Sequence, residues 1–219
     1  MPGYIKKLVL ACLLLGSSYV IASAQSNPML FGSDEFKSTE LSAFKKWASI
    51  RSRHQQDVRT ARTVNTDSHC RRTKTFKCAS DEWLNVITSL KNKPAKVQMD
   101  VINRHLNQYA YITDMVNWQQ DDYRATIKQF FSKDGDCEDY AIAKYFSLKE
   151  LGFRADQLRI VIVQDNNLNI AHAVLAVYLD NKIWILDNQT SHVINDDKIV
   201  HYQPLYSINE KAWWLHKVS

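Results

Sequence analysis

The chain has 219 residues, 45% of them apolar, and carries 28 Lys and Arg against 23 Asp and Glu, a net charge of +5. This length and composition predict one globular domain with a sizeable core, and five Gly and four Pro exclude a collagen-like or low-complexity chain. Four Cys are too few for a disulfide scaffold, and their spacing differs from that of zinc fingers.

Residues 1–24 have the pattern of a secretory signal peptide. Two lysines at positions 6 and 7 precede a mostly apolar run, which ends at the small residues Ala22-Ser23-Ala24. The alternative is a membrane anchor, but Gly16-Ser17-Ser18 interrupts the run, which falls short of the roughly 20 apolar residues that span a bilayer. We therefore predict cleavage after Ala24 and an exported mature protein that does not span a membrane.

Residues 25–79 are predicted to form a loose polar arm (25–38), an amphipathic helix (about 41–58) and a basic, irregular segment (59–79). The helix is indicated by Leu41, Phe44 and Trp47, which recur at helical spacing. No aromatic residue interleaves with the basic charges until Phe76. We therefore favour a solvated basic face over nucleic-acid binding.

Export leaves three cysteines in the mature chain, Cys70, Cys78 and Cys137. An oxidising compartment favours a disulfide between Cys70 and Cys78, which enclose a short loop. Cys137 is then an odd thiol, and an unpaired Cys in an exported protein is a liability unless its reactivity is used.

Residues 80–219 are predicted to form the rest of the same domain. Helices are expected to begin near Ser80 and Pro94, and a polar aromatic segment follows at 109–123. A mostly buried helix is expected from about Cys137 to Gly152. Apolar runs at 158–163, 171–179 and 182–186 then predict strands, the last two joined in a tight hairpin by Asp180-Asn181. Helices followed by an antiparallel sheet make an α+β fold.

The segment Asp134-Gly135-Asp136-Cys137-Glu138-Asp139 is the first candidate for chemistry. Gly135 permits a sharp turn before the helix, and a thiol at a helix N-terminus is favoured as thiolate by the partial positive charge there. The free N–H groups can also hold an oxyanion. The alternative is a buried, inert Cys, but four flanking carboxylates argue against apolar burial.

His172 is the candidate base, because it lies at the start of an apolar strand, where a polar side chain is unusual unless it has a functional or structural partner. A two-residue turn at Asp180-Asn181 would place His172 opposite Gln189, with Asp187 one diagonal step away on the same face. A thiol, an imidazole and an orienting carboxylate form a nucleophilic triad. The alternative is a core His that binds a backbone carbonyl.

The acids beside Cys137 oppose its ionisation, because Asp136, Glu138 and Asp139 raise the pKa of a neighbouring thiol. A hard divalent cation bound by these oxygens would remove that penalty, and calcium suits an exported protein. Further oxygens could come from Asp114, Asn117 or Asp134. The alternative is a set of acids stabilised only by the helix dipole.

Four segments together resemble the bacterial transglutaminase-like cysteine peptidases: GDCEDYAIAKYFSLKELGF (135–153), LRIVIVQ (158–164), AHAVLAVY (171–178) and ILDNQ (185–189). The segment Asn103–Tyr109, Asp114 and Asn117-Trp118 are also similar to that family. The resemblance implies a papain-like core in which Cys137 is the nucleophile, His172 the base and Asp187 its orienter. It also implies calcium near the nucleophile, on Asp136 and Glu138 with Asp139.

The resemblance further implies a periplasmic protease that cuts the N-terminal region of a large surface adhesin in biofilm formation. The periplasmic domain of a membrane receptor that senses cyclic di-GMP would sequester it. Gln119 and Ile127 stand where the family often has Gly and Pro, so the shape of the substrate groove is less determined than the triad.

Three functions remain open from the sequence. A cysteine endopeptidase would hydrolyse the acyl-enzyme, with the N-terminus of the catalytic helix and the Trp118 region forming the oxyanion hole. A transglutaminase would pass the same acyl group to an amine. A non-catalytic periplasmic binding module would keep the fold without the reaction.

Overall fold

The computed structural model describes residues 28–63 and 76–218, and the side chains of 60–63 and 76–80 lie outside this description. The predicted signal peptide and the predicted Cys70–Cys78 disulfide therefore fall outside the described residues. Six α-helices are present in the described part: α1 (Lys45–Thr63), α2 (Phe76–Leu90), α3 (Ala95–Leu106), α4 (Asp114–Trp118), α5 (Ile127–Lys133) and α6 (Cys137–Glu150).

The seven strands of the described part form one antiparallel sheet. Its strands are β1 (Asp34–Ser38), β2 (Leu158–Asp165), β3 (Ile170–Leu179), β4 (Lys182–Leu186), β5 (Ile194–Asn195), β6 (Tyr202–Ile208) and β7 (Trp213–Lys217). The strand order is β1-β7-β6-β2-β3-β4-β5, and each neighbouring pair is antiparallel. The predicted α+β class is confirmed.

The β3–β4 hairpin has the predicted register. Asp180 and Asn181 both have positive φ (54° and 57°), as a two-residue turn that follows the strand twist requires. Leu179 pairs with Lys182 and Leu175 with Leu186. The ladder ends there, so Gln189 is not paired opposite His172 as the extended register predicted, and the chain after Leu186 is free to bend toward α3.

Helix α6 lies at the centre of the molecule and begins at Cys137, as predicted. Its side chains are buried from Asp139 to Leu148, and it packs against β3 and α3. Gly152 follows the helix with φ +100°, a conformation that ends helices readily only at glycine. A helix buried on nearly every side is held rigidly, and so is the residue at its start.

The N-terminal half departs from the prediction in three places. Residues 34–38, expected in a loose arm, form edge strand β1 paired with β7. Helix α1 begins at Lys45 and continues to Thr63, and α2 begins four residues before Ser80. The sequence of β1 is polar and shows no apolar alternation, so it did not predict a strand. A residue distant in the sequence stabilises β1 instead: Arg159 Nη1 donates to both Glu35 carboxylate oxygens at 2.8 Å.

Helix α5 and strands β6 and β7 were not predicted. The start of α5 had a readable signal, because Thr126 and Gln129 form a capping box in which each side chain binds the other's backbone N–H. Within residues 28–63 and 76–218, every helix is too short or too polar to cross a bilayer.

Candidate active site

Cys137 is the first residue of α6, and its sulfur has two polar neighbours. The thiol donates to Glu138 Oε2 at 3.1 Å, and the backbone N–H of Ala173 on β3 lies near enough to the sulfur to lower the pKa of the thiol. Because Ala173 directly follows His172, this contact brings the N-terminus of α6 to the point on β3 that carries the imidazole. Cys137 is a free thiol.

The surroundings of Cys137 oppose thiolate formation. Burial raises the pKa of the thiol, and the charges of Glu138 and Asp136 raise it further, while the Ala173 N–H acts in the opposite direction. Glu138 and Asp136 therefore raise the pKa of the thiol, as the sequence predicted, in addition to the larger effect of burial. Ionisation of this sulfur requires a base and a counter-charge for the carboxylates.

His172 and Asp187 form a buried pair. His172 Nε2 lies 2.9 Å from Asp187 Oδ1, and both side chains are almost completely buried. Since a carboxylate accepts, this contact assigns the proton to Nε2 and leaves Nδ1 as the nitrogen that can accept one. The pair of residues predicted from the hairpin is thus in direct contact.

Two further donors complete the shell of the Asp187 carboxylate. The Gln189 N–H donates to Oδ1 at 3.0 Å, and the Tyr202 hydroxyl donates to Oδ2 at 2.6 Å. Although burial alone raises the pKa of Asp187, the hydrogen bonds and charge of His172, with Gln189 and Tyr202, lower it below its ordinary value. Asp187 is therefore an ionised, fully hydrogen-bonded carboxylate.

Asn103 of α3 and Asn107, which caps the C-terminus of α3, hold the segment that carries Asp187. Asn107 Nδ2 donates to the carbonyl oxygens of Asp187 and Thr190, each at 2.8 Å, and Asn103 Nδ2 donates to Thr190 at 3.0 Å. These bonds bend the chain toward α3 after β4 ends. They bring Asp187 to His172 where continued strand pairing would have presented Gln189.

Three buried aspartates form a second cluster at the same helix terminus. Asp114 from the start of α4, Asp136 before α6 and Asp139 within α6 each offer a carboxylate oxygen within 4.8 Å of the others. Within the described part of the chain, both oxygens of Asp114, Oδ1 of Asp136 and Oδ2 of Asp139 are buried without a hydrogen-bond partner. Buried carboxylate oxygens that lack donors are expensive unless a cation binds them.

The pKa values of these aspartates are raised, as expected for buried carboxylates that lack hydrogen-bond donors. Burial, together with the neighbouring carboxylates, raises the pKa of Asp136 to about 9 and that of Asp139 to about 7. Burial also raises the pKa of Asp114. An all-oxygen site of three carboxylates fits calcium, which binds hard oxygen ligands and neutralises their repulsion.

The other three predicted ligands have different surroundings. Glu138 forms an ion pair with Arg124, and Asp134 Oδ1 accepts from the Ala110 N–H at 3.1 Å. Asn117 follows Asp114 on α4, and its carbonyl oxygen accepts from Lys133. Their assignment as calcium ligands stays a prediction, whereas Asp114 joins Asp136 and Asp139 in one cluster.

Gly135 is needed here for lack of space rather than for a left-handed backbone. A Cβ at this position would lie 2.6 Å from Asp139 Oδ2 and 2.7 Å from Asp139 Cβ. The positive φ of this turn (65°) belongs to Asp134 instead. The glycine predicted to permit the turn therefore lets the chain approach a carboxylate of the aspartate cluster.

Trp118, the predicted contributor to an oxyanion hole, ends α4. Its ring stacks on Tyr123 with centroids 4.4 Å apart, and Lys133 Nζ lies 4.3 Å from its centroid. Its indole Nε1 is buried without a partner among the described residues. The oxyanion role stays a prediction.

The family model of the bacterial transglutaminase-like cysteine proteinases (BTLCP) matches residues 57–216. The chain belongs to this family. The match spans all of the site residues above, so the resemblance read from the sequence is confirmed. The curated protein sequences include no match to the chain.

Solved structures of LapG from Legionella pneumophila are similar to this member of the family. One is 34% identical over 74% of this chain and 86% of that chain, with a TM-score of 0.60. A calcium-bound form is 33% identical over 75% and 90% of the two chains (TM-score 0.60), and an EGTA-treated form is 34% identical over 75% and 86% (TM-score 0.61).

Sequence reasoning missed the residues that support the His172–Asp187 pair. Asn103 on α3 and Asn107 at its C-cap are four residues apart, and two amides beside a buried apolar stripe indicate a polar partner. Tyr202 had no comparable signal, because it reaches Asp187 from an unpredicted strand.

Proposed function

We propose that this protein is a calcium-dependent cysteine endopeptidase in which Cys137, His172 and Asp187 are the catalytic residues. The observation that carries the proposal is the packing of α6, which begins at the half-buried thiol of Cys137, against β3, which carries His172 of the buried His172–Asp187 pair. Membership in a cysteine proteinase family supports the same chemistry.

In the proposed reaction, His172 Nδ1 accepts the Cys137 proton as the sulfur attacks a peptide carbonyl carbon. Backbone N–H groups at the start of α6 face the developing oxyanion. The imidazolium then protonates the leaving amine, and the C–N bond breaks to leave a thioester. Water, deprotonated by the same imidazole, hydrolyses the thioester and restores the thiol. Asp187 stabilises the imidazolium and fixes its tautomer.

Asp114, Asp136 and Asp139 are proposed to hold calcium. The bound ion would supply positive charge beside the sulfur and so favour its ionisation. The chain itself brings three buried carboxylates together, each of which lacks enough hydrogen-bond donors. Asp139 lies on α6 and Asp114 on α4. Calcium-bound and EGTA-treated LapG structures support the assignment.

The proposed substrate is the N-terminal linker region of a large surface adhesin, whose cleavage releases the adhesin and promotes biofilm dispersal. Similarity to LapG supports this choice. A flexible linker suits the reaction because an extended chain can enter an endopeptidase groove. We further propose export to the periplasm by residues 1–24, and sequestration by the periplasmic domain of a receptor that senses cyclic di-GMP.

The test incubates wild type and Cys137→Ala with a candidate adhesin linker, with calcium or with a chelator, and measures product masses. Two fragments whose masses sum to the substrate plus one water are expected for wild type in calcium alone. A cross-linked or amine-adducted product would replace hydrolysis by transglutaminase transfer. Absence of any product, with an unchanged biofilm phenotype in Cys137→Ala cells, would overturn catalysis and favour a binding module.

A further inference from the structure

A cavity of about 400 Å³ lies beside Cys137 and takes no part in the reaction steps proposed above. Residues of α1, of α6 and of strands β2 and β6 line it, together with Asp122 and Arg124. Its wall also includes Glu138, whose Oε2 accepts from the Cys137 thiol at 3.1 Å. The side chain of Glu138 therefore contacts both the cavity and the reacting sulfur.

The floor of the cavity is apolar. Among the described residues it is lined by three aromatic rings and five isoleucines: Phe44, Trp47, Tyr206, Ile50, Ile142, Ile160, Ile162 and Ile208. Most of these side chains belong to the main hydrophobic core. Protein interiors contain few voids larger than a water molecule, which occupies about 30 Å³ in the liquid. The cavity is far larger than such a void and falls in the size range of ligand pockets.

The charged side chains at the rim of the cavity largely neutralise each other. Lys46 Nζ binds Asp122 Oδ2 at 2.5 Å. Arg124 forms ion pairs with Asp122 and Glu138. The remaining charged residue of the described lining, Lys45, is exposed. A charged ligand would compete with these ion pairs, whereas an apolar group only has to displace water from the floor. The cavity therefore favours an apolar occupant.

The position of the cavity along α6 determines which part of a substrate can reach it. Glu138 and Ile142 follow Cys137 by one and five residues, so the helix side of the cavity lies about 1.5 to about 7.5 Å further along the axis. An extended peptide advances about 3.3 Å per residue, and its side chains alternate between two faces. A side chain about two or three residues from the scissile bond spans this distance.

We propose that this cavity is a specificity pocket that receives a large apolar side chain of the substrate, about two or three residues from the scissile bond. This inference deepens the proposed endopeptidase function and rests on it. Burial of the side chain releases water from the apolar floor, which favours binding at that position. The inserted side chain fixes the register of the linker, so that one peptide carbonyl lies at the Cys137 sulfur.

The first experiment measures kcat/KM for a candidate adhesin linker that carries Leu or Ala, in turn, at each position near the scissile bond. Ile208→Phe fills the floor of the cavity, and Leu205→Phe is its matched control, because Leu205 is an exposed residue of the same strand outside the cavity lining. Wild type and Leu205→Phe should prefer Leu over Ala about tenfold or more at one position. Ile208→Phe should lose that preference and still cleave the Ala linker.

Two results of this experiment would overturn the pocket. One is a wild-type enzyme that cleaves the linker without preferring Leu at any position. The other is a preference for Leu that persists in Ile208→Phe, because the side chain would then bind elsewhere, even if the substitution lowers both rates through damage to the fold.

The second experiment needs no cleavage and so separates the pocket from the proposed function. Cys137→Ala protein with ¹³C-labelled isoleucine methyl groups is titrated with the same linkers, and the resonances are assigned from Ile→Val variants. The preferred occupant should shift the resonances of Ile142 and Ile208 and leave those of Ile183 and Ile185, which lie in the core on the other face of the sheet.

The linker with Ala at every varied position should shift neither pair of isoleucine resonances. Shifts of the cavity isoleucines by a Leu linker that wild type does not cleave would support the pocket and contradict the endopeptidase. Cleavage by wild type without these shifts would overturn the pocket alone.

Discussion

The molecule buries carboxylates in two neighbouring places and treats them in opposite ways. Asp187 receives hydrogen bonds from His172, Gln189 and Tyr202, and its pKa is lowered despite burial. In the aspartate cluster of residues 114, 136 and 139, several oxygens have no donor within the part of the chain that the structure describes, and burial raises the pKa values.

The difference shows that burial alone does not set the charge of a carboxylate. Donors supplied by the protein lower the pKa of Asp187 and favour its ionised form, which suits the role of stabilising an imidazolium that we propose for it. Among the described residues the aspartate cluster lacks such donors, so we propose that a bound cation balances its charge. In the proposed function, the charge of the first site is constant, whereas that of the second responds to calcium.

Asp187→Asn gives the largest expected effect. The amide can no longer stabilise the imidazolium or fix its tautomer, so kcat/KM for linker cleavage should fall about a thousandfold or more. Calcium affinity, measured by calorimetry, should be unchanged because Asp187 lies outside the aspartate cluster. A matching loss of calcium affinity would show that the two sites are not separate.

Asp139→Asn is the corresponding change in the cluster. Losing one of three carboxylates should weaken calcium binding on the order of a hundredfold. Asp134→Asn is the matched control, because Asp134 flanks the same turn but binds the Ala110 N–H. If Asp134→Asn weakens calcium as much as Asp139→Asn, the cluster has been assigned to the wrong residues.

Tyr202→Phe should have a smaller effect, lowering kcat about tenfold with little change in KM. It removes one charge-assisted hydrogen bond from Asp187 and leaves the others. Tyr206→Phe, on the same strand, is the control, because Tyr206 packs against Phe44 rather than Asp187. Equal effects of the two substitutions would remove Tyr202 from the support of the triad.

The pH dependence of stability should distinguish the two sites by a few degrees of Tm. In chelator, Asp136 and Asp139 bind protons more tightly when folded, since their pKa values are raised to about 9 and about 7. The stability that these protons provide is present at acidic pH and is lost as the pH rises through those values. Thermal melts from about pH 5 to about pH 9 should therefore show stabilisation by calcium that grows with pH. Stabilisation that shrinks with rising pH would contradict the raised values.

The sequence predicted the parts of the site that depend on local patterns. The start of α6 at Cys137, the capping glycine Gly152 just after its end and the register of the β3–β4 hairpin follow from helix capping and turn chemistry, and all three are confirmed. The His172–Asp187 contact followed from that register, although Asp187 reaches His172 from beyond the end of the strand pairing.

The features that the sequence did not predict depend on contacts between distant segments. Strand β1 is held by Arg159, more than a hundred residues away, and the segment after β4 is bent by Asn103 and Asn107 at the C-terminal end of α3. Asp114 was expected only as an additional ligand, because nothing local indicates that α4 brings it against Asp136 and Asp139. Local periodicity carries no information on such pairings.

The rate at which an alkylating reagent modifies Cys137 tests the central claim most directly, because it reports how readily this sulfur ionises. Peptide mapping would separate Cys137 from the other cysteines of wild type and His172→Ala, each in calcium and in chelator at neutral pH. Fast modification is predicted for wild type in calcium, slowed about tenfold or more by either the chelator or the loss of the imidazole. Equal rates in all four samples would contradict a sulfur activated jointly by His172 and a calcium-neutralised acid cluster.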